Sequence, residues 1–177
     1  MTSPDGDEGF GRIFDAKRAG DIDYLIRALT DPEHRSTAAR YLSQLNAVAA
    51  IPQLIRLLDA DQQAVRTAAV KALGRLRAAD AVPRIIEVAA HDPSDVTRSY
   101  AIGALGRIGD PRAREVLNRL LTDPEVWLRR GATSALEQVG DQSSIGLIHQ
   151  AARREPIWRR KRYLRAIRAI KRRRGHA

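Results

Sequence analysis

Apolar residues return along this chain in triplets spaced by three residues. The triplets are Ala39/Leu42/Leu45, Val70/Leu73/Leu76, Ile102/Leu105/Ile108, Thr133/Leu136/Val139 and Leu164/Ile167/Ile170. Steps of three and four place each triplet on one face of a helix. Between the triplets lie second apolar stripes: Leu54/Ile55/Leu57/Leu58, Ile85/Ile86/Val88/Ala89, Val116/Leu117/Leu120/Leu121 and Leu147/Ile148/Ala151/Ala152. The pattern therefore predicts alternating first and second helices with a period near 31 residues. A period of that size belongs to stacked helical repeats, in which no repeat can bury its apolar stripe alone.

Punctuation supports the same division. Helix-start signals recur at Asp31-Pro32, Asp61, Asp92-Pro93, Asp123-Pro124 and Glu155-Pro156. An acidic cap followed by proline suits a helix start, because the carboxylate accepts an orphan N–H and proline has none to lose. First helices are expected to end near Asn46, Arg77, Gly109 and Gly140, and second helices to begin at Pro52, Pro83, Pro111 and about Gln142. Residues 10–18 and 21–29 predict a shorter opening pair broken at Gly20. Residues 1–9 read as a flexible tail, residues 10–172 as the repeat array with a cationic terminal helix over 156–172, and residues 173–177 as a basic tail.

One polar residue keeps the period too. Arg35, Arg66, Arg98, Arg129 and Arg160 follow at intervals of 31, 32, 31 and 31 residues, each opening a first helix. A period-locked polar residue usually satisfies backbone or loop groups, so the row reads as a structural ladder.

The repeat D-P-x-V-R-x-x-A-x-x-A-L-G-x-I-G-D-x-x-A-x-x-x-L-x-x-L-L resembles the HEAT-like repeat first named in phycobilisome lyases. Residues 92–121 and 61–89 carry it best, and the resemblance covers roughly residues 10–172. It implies an all-α, right-handed α-solenoid of about five helix pairs plus a terminal basic helix. It also implies that Asp110 and Asp141, in the inter-helix loops, accept hydrogen bonds from ladder arginines. The earlier repeats depart from this, with Ala47 and Ala78 at the matching position. The same repeat occurs in lyases, hydroxylases and adaptors, so the resemblance fixes the fold more tightly than the activity.

Charge changes the picture at one end only. The formal net charge is +10 over 177 residues, but residues 153–177 hold 12 basic residues against one acid, Glu155. The other 152 residues hold 19 basic and 20 acidic residues and are almost neutral. Within the terminal helix, Lys161, Arg162, Arg165, Arg168 and Arg172 fall opposite the apolar stripe, and Lys171, Arg173 and Arg174 add to them. A solvated end needs polarity, not charge of one sign, so these residues with Trp158 form a candidate anion-binding surface. Trp127 and Trp158 stand two residues before successive ladder arginines, suited to covering a neighbouring repeat or to forming an aromatic step.

Candidate chemistry is sparse. There is no cysteine, and His34, His91, His149 and His176 share no ligand spacing. Glu33-His34 reverses the His-Glu order by which the deoxyhypusine hydroxylases, built from similar repeats, bind iron. No H-E-x-x-H, G-x-S-x-G or phosphate-loop motif occurs. No catalytic residue, metal or cofactor is therefore expected. No apolar run approaches the roughly 20 residues that span a bilayer, and the acidic start lacks signal-peptide character, so a cytoplasmic location is expected.

Three functions fit these features. The first is a non-enzymatic adaptor holding a protein on the concave face of the second helices, through Gln53, Arg56, Arg84, Glu87, Glu115, Asn118, Arg119 and Gln150. Their mixed signs suit a protein segment better than a nucleic acid. The second is nucleic-acid binding by the cationic end. The third is association of that end with an anionic membrane surface. The sequence leaves the oligomeric state open.

Overall fold

The computed structural model describes residues 5–174, and side chains over residues 11–173. Eleven α-helices follow in order: α1 (Asp5–Ala19), α2 (Ile22–Arg27), α3 (Arg35–Gln44), α4 (Ile51–Arg56), α5 (Gln63–Arg75), α6 (Val82–His91), α7 (Asp95–Ile108), α8 (Arg114–Leu120), α9 (Val126–Val139), α10 (Gln142–Arg153) and α11 (Lys161–Arg174). Single 3-10 turns extend or precede several of them. The order reproduces five pairs and a terminal helix. The ends differ from expectation: α1 already starts at Asp5, inside the anticipated tail, and α11 runs on to Arg174. The rest of the two expected tails, residues 1–4 and 175–177, lies outside the described residues.

The chain divides into two compact units, Met1–Ala81 and Val82–Ala177. In the first, α2 packs on α1 and α3, and α5 packs on α3 and α4. Ile13, Leu25, Leu42, Leu54 and Leu73 are fully buried there. Phe14, next to Ile13 in the chain, is half exposed. In the second, α7 packs on α6 and α9, α9 on α8 and α11, and α10 on α11. Its core holds Ile85, Ile102, Leu105, Leu117, Leu128, Leu136 and Tyr163.

First helices approach closely where residues are small. A Cβ on Gly106 of α7 would stand 2.7 Å from the Cα of Ala135 on α9, so only glycine permits this spacing. The central triplet residues Leu42, Leu73, Leu105, Leu136 and Ile167 are all buried. Leu164 is the exception to the stripe, at 43% exposure, and Tyr163 beside it is buried instead. At the position matching Leu164, Ile102 rests against Gly131 of α9; no described element stands beyond α11 to cover Leu164.

Helix starts correct the capping expectation. α3, α7 and α9 begin three or four residues after Asp31, Asp92 and Asp123. Each of these carboxylates instead accepts the N–H two residues on, from Glu33, Ser94 and Glu125, at 2.8–2.9 Å. The aspartates thus shape a tight turn ahead of the helix. Ser94 caps α7, and Asp141 and Ser144 form a reciprocal capping box on α10.

Three of the expected helix ends share one backbone device. Eleven residues after their ladder arginines, Asn46, Arg77 and Gly109 adopt left-handed φ values of 54°, 50° and 80°. Only glycine is free of the steric cost there, about 1 kcal/mol for a residue with a Cβ. We predict that Arg77→Gly raises the stability of the first unit by about 0.5 kcal/mol and that Gly109→Ala lowers that of the second by about 1 kcal/mol. Urea unfolding checks both; two shifts of the same sign would contradict the assignment.

Candidate functional site

The ladder arginines open the first helices, and side chains on a helix lean toward its N-terminus. Their guanidinium groups therefore reach back to the loop by which the chain enters. Arg66 donates from Nη1 to the carbonyls of Ala60 and Asp61 at 2.8 and 2.7 Å. Arg129 donates from Nη1 to those of Asp123 and Pro124 at 2.9 and 2.7 Å. Arg98 reaches the Ala89 carbonyl at 3.3 Å, and Arg160 that of Glu155 at 2.9 Å. Arg35 holds the same position half buried, with a shielded Nε that makes no hydrogen bond.

The expected pairing with Asp110 and Asp141 is corrected. Asp110 binds Arg112, at 2.7 Å to Nη2, and accepts its backbone N–H. Asp141 caps α10 and pairs with Arg114 at 2.9 Å. Arg114 also donates to the Val139 carbonyl at 2.9 Å, tying α8 to the loop after α9. The aspartates go to nearer arginines because ladder guanidiniums are already occupied by loop carbonyls. The carboxyl of Asp110 is held below its ordinary pKa by the hydrogen bond from Arg112.

One ion cluster is buried. The side chain of Glu155 is 2% exposed and accepts from Arg129 Nη2 at 3.2 Å and Arg130 Nη2 at 2.8 Å. Burial pushes its carboxyl up, but the hydrogen bonds and charges of Arg130 and Arg129 outweigh this and hold it below its ordinary 4.5. Tyr163 of α11 lies fully buried beside the cluster, its pKa raised by burial and then by Glu155. The cluster thus joins α9, the turn after α10 and α11. Sequence reasoning saw Glu155 only as a helix-start signal. Its partners, Arg129 and Arg130, lie 26 and 25 residues upstream, outside the cationic segment, so the local sequence carried no signal of the pairing.

The cationic end separates into two sets. Arg165 binds Glu137 at 2.9 Å, and Arg173 donates to the carbonyls of Glu137 and Gly140. These two fasten α11 to α9. Lys161, Arg162, Arg168, Lys171 and Arg172 are exposed, and the side chain of Arg174 lies outside the described residues. Arg130, Arg159 and Arg162 line an open cavity of about 270 Å³. The tryptophans differ as well. The Arg98 guanidinium lies 5.6 Å from the Trp127 ring centroid, a cation–π contact, whereas Trp158 is 78% exposed.

The second-helix candidates fall in both units. In the first, Arg56 is exposed and the shielded Oε1 of Gln53 lacks a hydrogen bond. In the second, Arg84 pairs with Glu87, and Arg119 with Glu115 at 2.9 Å. Asn118 between them keeps a shielded Oδ1 without a donor, and Gln150 is exposed. Among the described residues, no three His, Asp or Glu side chains group as metal ligands, and no helix is long and apolar enough to cross a membrane.

Paired helices, a repeated reach-back arginine and small residues at helix contacts define an α-helical repeat protein. The pattern of the HEAT repeats matches residues 22–105 and again 82–171, and the chain belongs to that family. Among solved structures it is similar to an engineered protein, at 21% identity over 90% of this chain and 83% of the other, with a TM-score of 0.68. It is also similar to the complex of CpcE and CpcF of phycocyanin lyase from Nostoc sp. PCC7120, at 22% identity over 84% and 98%, TM-score 0.66. A designed armadillo repeat protein matches at 20% identity over 73% and 70%, TM-score 0.53. These likenesses establish an all-α fold with HEAT- and armadillo-like solenoid neighbours. No curated protein matches the chain.

Breaking a buried ion pair leaves an uncompensated charge and costs roughly 3–5 kcal/mol. We predict that Glu155→Ala lowers the stability of the second unit by about 3 kcal/mol. Because the folded pKa of Glu155 lies below 4.5, its contribution is present above that pH and is lost as pH falls through the depressed value. Acid unfolding of Glu155→Gln should therefore show a shallower loss of stability below pH 4.5 than the parent; identical acid profiles would contradict the pairing.

Proposed function

We propose that this protein is a non-enzymatic interaction module that holds a protein partner on its second helices. HEAT repeats commonly serve as interaction scaffolds, and the second-helix face of α6, α8 and α10 offers the chemistry of a polypeptide groove. The observation that carries this reading is Asn118. Its Oδ1 is shielded from water yet accepts no hydrogen bond, and such a group costs free energy until a donor arrives. A backbone N–H of a bound segment is a suitable donor. Glu115 and Arg119 pair with each other along α8 at 2.9 Å and are both exposed. That pair can exchange partners with a segment carrying both signs of charge without leaving a buried charge behind. The working location of such a module, in this reading, is the cytoplasm.

A photo-crosslinking residue placed at Gln150 or Glu87, both exposed, tests the proposal. We expect one defined protein to be crosslinked in native extract and the same product to fall at least fivefold in a variant carrying Asn118→Ala and Arg119→Glu. Crosslinking that is diffuse, or equal in the two proteins, would refute the second-helix face as the working surface.

A further inference from the structure

Beyond the second-helix face, the turn that leads into α11 carries a combination that neither the fold nor the ion cluster requires. Ile157 and Trp158 are adjacent, and both stand in water, at 76% and 78% exposure. At the position matching Trp158, Trp127 is only part-exposed and has Arg98 against its ring. The arginine that would repeat this contact, Arg129, is instead buried against Glu155. Trp158 therefore lacks the contact that Trp127 has.

Cations surround this apolar pair. Arg153, Arg159, Lys161 and Arg162 are exposed on either side of it in the chain. Arg130, Arg159 and Arg162 bound the 270 Å³ cavity beside it. Arg130 is held in place by Glu155 at 2.8 Å, so one wall of the cavity is fixed before any ligand arrives, which lowers the ordering cost of binding. Three arginines on one open cavity can offer a phosphate bidentate guanidinium donors.

We propose that this end of the second unit docks on an anionic phospholipid membrane, with the three-arginine cavity taking a lipid phosphate and Ile157 and Trp158 entering the interface. The two apolar residues decide between polyanions. A nucleic acid offers a stacking partner to Trp158 but none to Ile157, which has no π face. An anionic bilayer buries both at the depth where tryptophan is favoured, while its headgroups face the arginines. The exposed Arg168 and Lys171 of α11 extend the same sign of charge along the surface.

Trp158 supplies the readout. In a Trp127→Phe background it is the sole tryptophan. Its emission is to be followed on adding vesicles of phosphatidylcholine alone, vesicles with a third phosphatidylglycerol, a single-stranded oligonucleotide, and polyglutamate. We expect a shift to shorter wavelength, and protection from iodide quenching, with phosphatidylglycerol vesicles only. Co-sedimentation with those vesicles should fall about tenfold in Arg159→Glu/Arg162→Glu and about tenfold in Ile157→Ser/Trp158→Ser. All four positions are exposed, and circular dichroism confirms that the variants fold. No shift with anionic vesicles overturns the proposal, as does a response to the oligonucleotide or polyglutamate without one to vesicles. Undiminished sedimentation of Ile157→Ser/Trp158→Ser also overturns it, since charge alone would then account for binding. None of these outcomes bears on Asn118, so the second-helix proposal stands or falls separately.

Discussion

Each first helix begins where the chain arrives from a loop, and the carbonyls of that arrival have no helical donor to meet them. Water is partly excluded there by the neighbouring helices, so a protein donor must supply the bonds. The ladder arginine does this from inside the helix it serves. It projects toward the N-terminus and returns to carbonyls five and six residues upstream, as Arg66 and Arg129 show. The helix and its entry turn thereby become one rigid piece, and the triplet four to ten residues further on can meet the next first helix in register. Packing at the Gly106–Ala135 contact tolerates no spare atom, so that register must be held from outside the core.

At the cationic end the same device acquires a second task. Arg129 keeps its loop carbonyls and also reaches Glu155, which Arg130 pairs with as well and whose charge the buried Tyr163 of α11 senses. A chain segment with 12 basic residues and one acid would repel itself if all its charges faced one another. The structure avoids this by division. Arg165 and Arg173 bond to Glu137 and to helix-end carbonyls, and the single acid faces Arg129 and Arg130 of α9 rather than the segment's own cations. Arg159, Lys161, Arg162, Arg168 and Lys171 are exposed, which leaves a positive surface around two exposed apolar side chains, Ile157 and Trp158.

Much of this was legible in the sequence, and what was not has identifiable causes. The helix pairs follow from apolar spacing, because that spacing is set by burial on one face. The ladder was visible as a period, but its partners were not. A period reveals that a residue is needed, not which atoms it meets, and backbone carbonyls leave no trace in residue identity. Asp110 and Asp141 drew attention as loop acids, yet Arg112 and Arg114 were closer competitors for them. Leu164 matched the apolar stripe but stands at a position whose counterpart, Ile102, is covered by the following repeat. Arg77 in a left-handed turn was equally hidden, since arginine carries no signal for that conformation.

The buried cluster of Glu155, Arg129 and Arg130, against which Tyr163 packs, couples α11 to the helices before it. Hydrogen–deuterium exchange of the intact protein and of Glu155→Gln tests this most directly. Faster exchange of amides in α11 and at the start of α9 is expected in the variant, with those of α3 and α5 unchanged. Equal protection of α11 in the two proteins would show that apolar packing alone holds the terminal helix, and would contradict the claim.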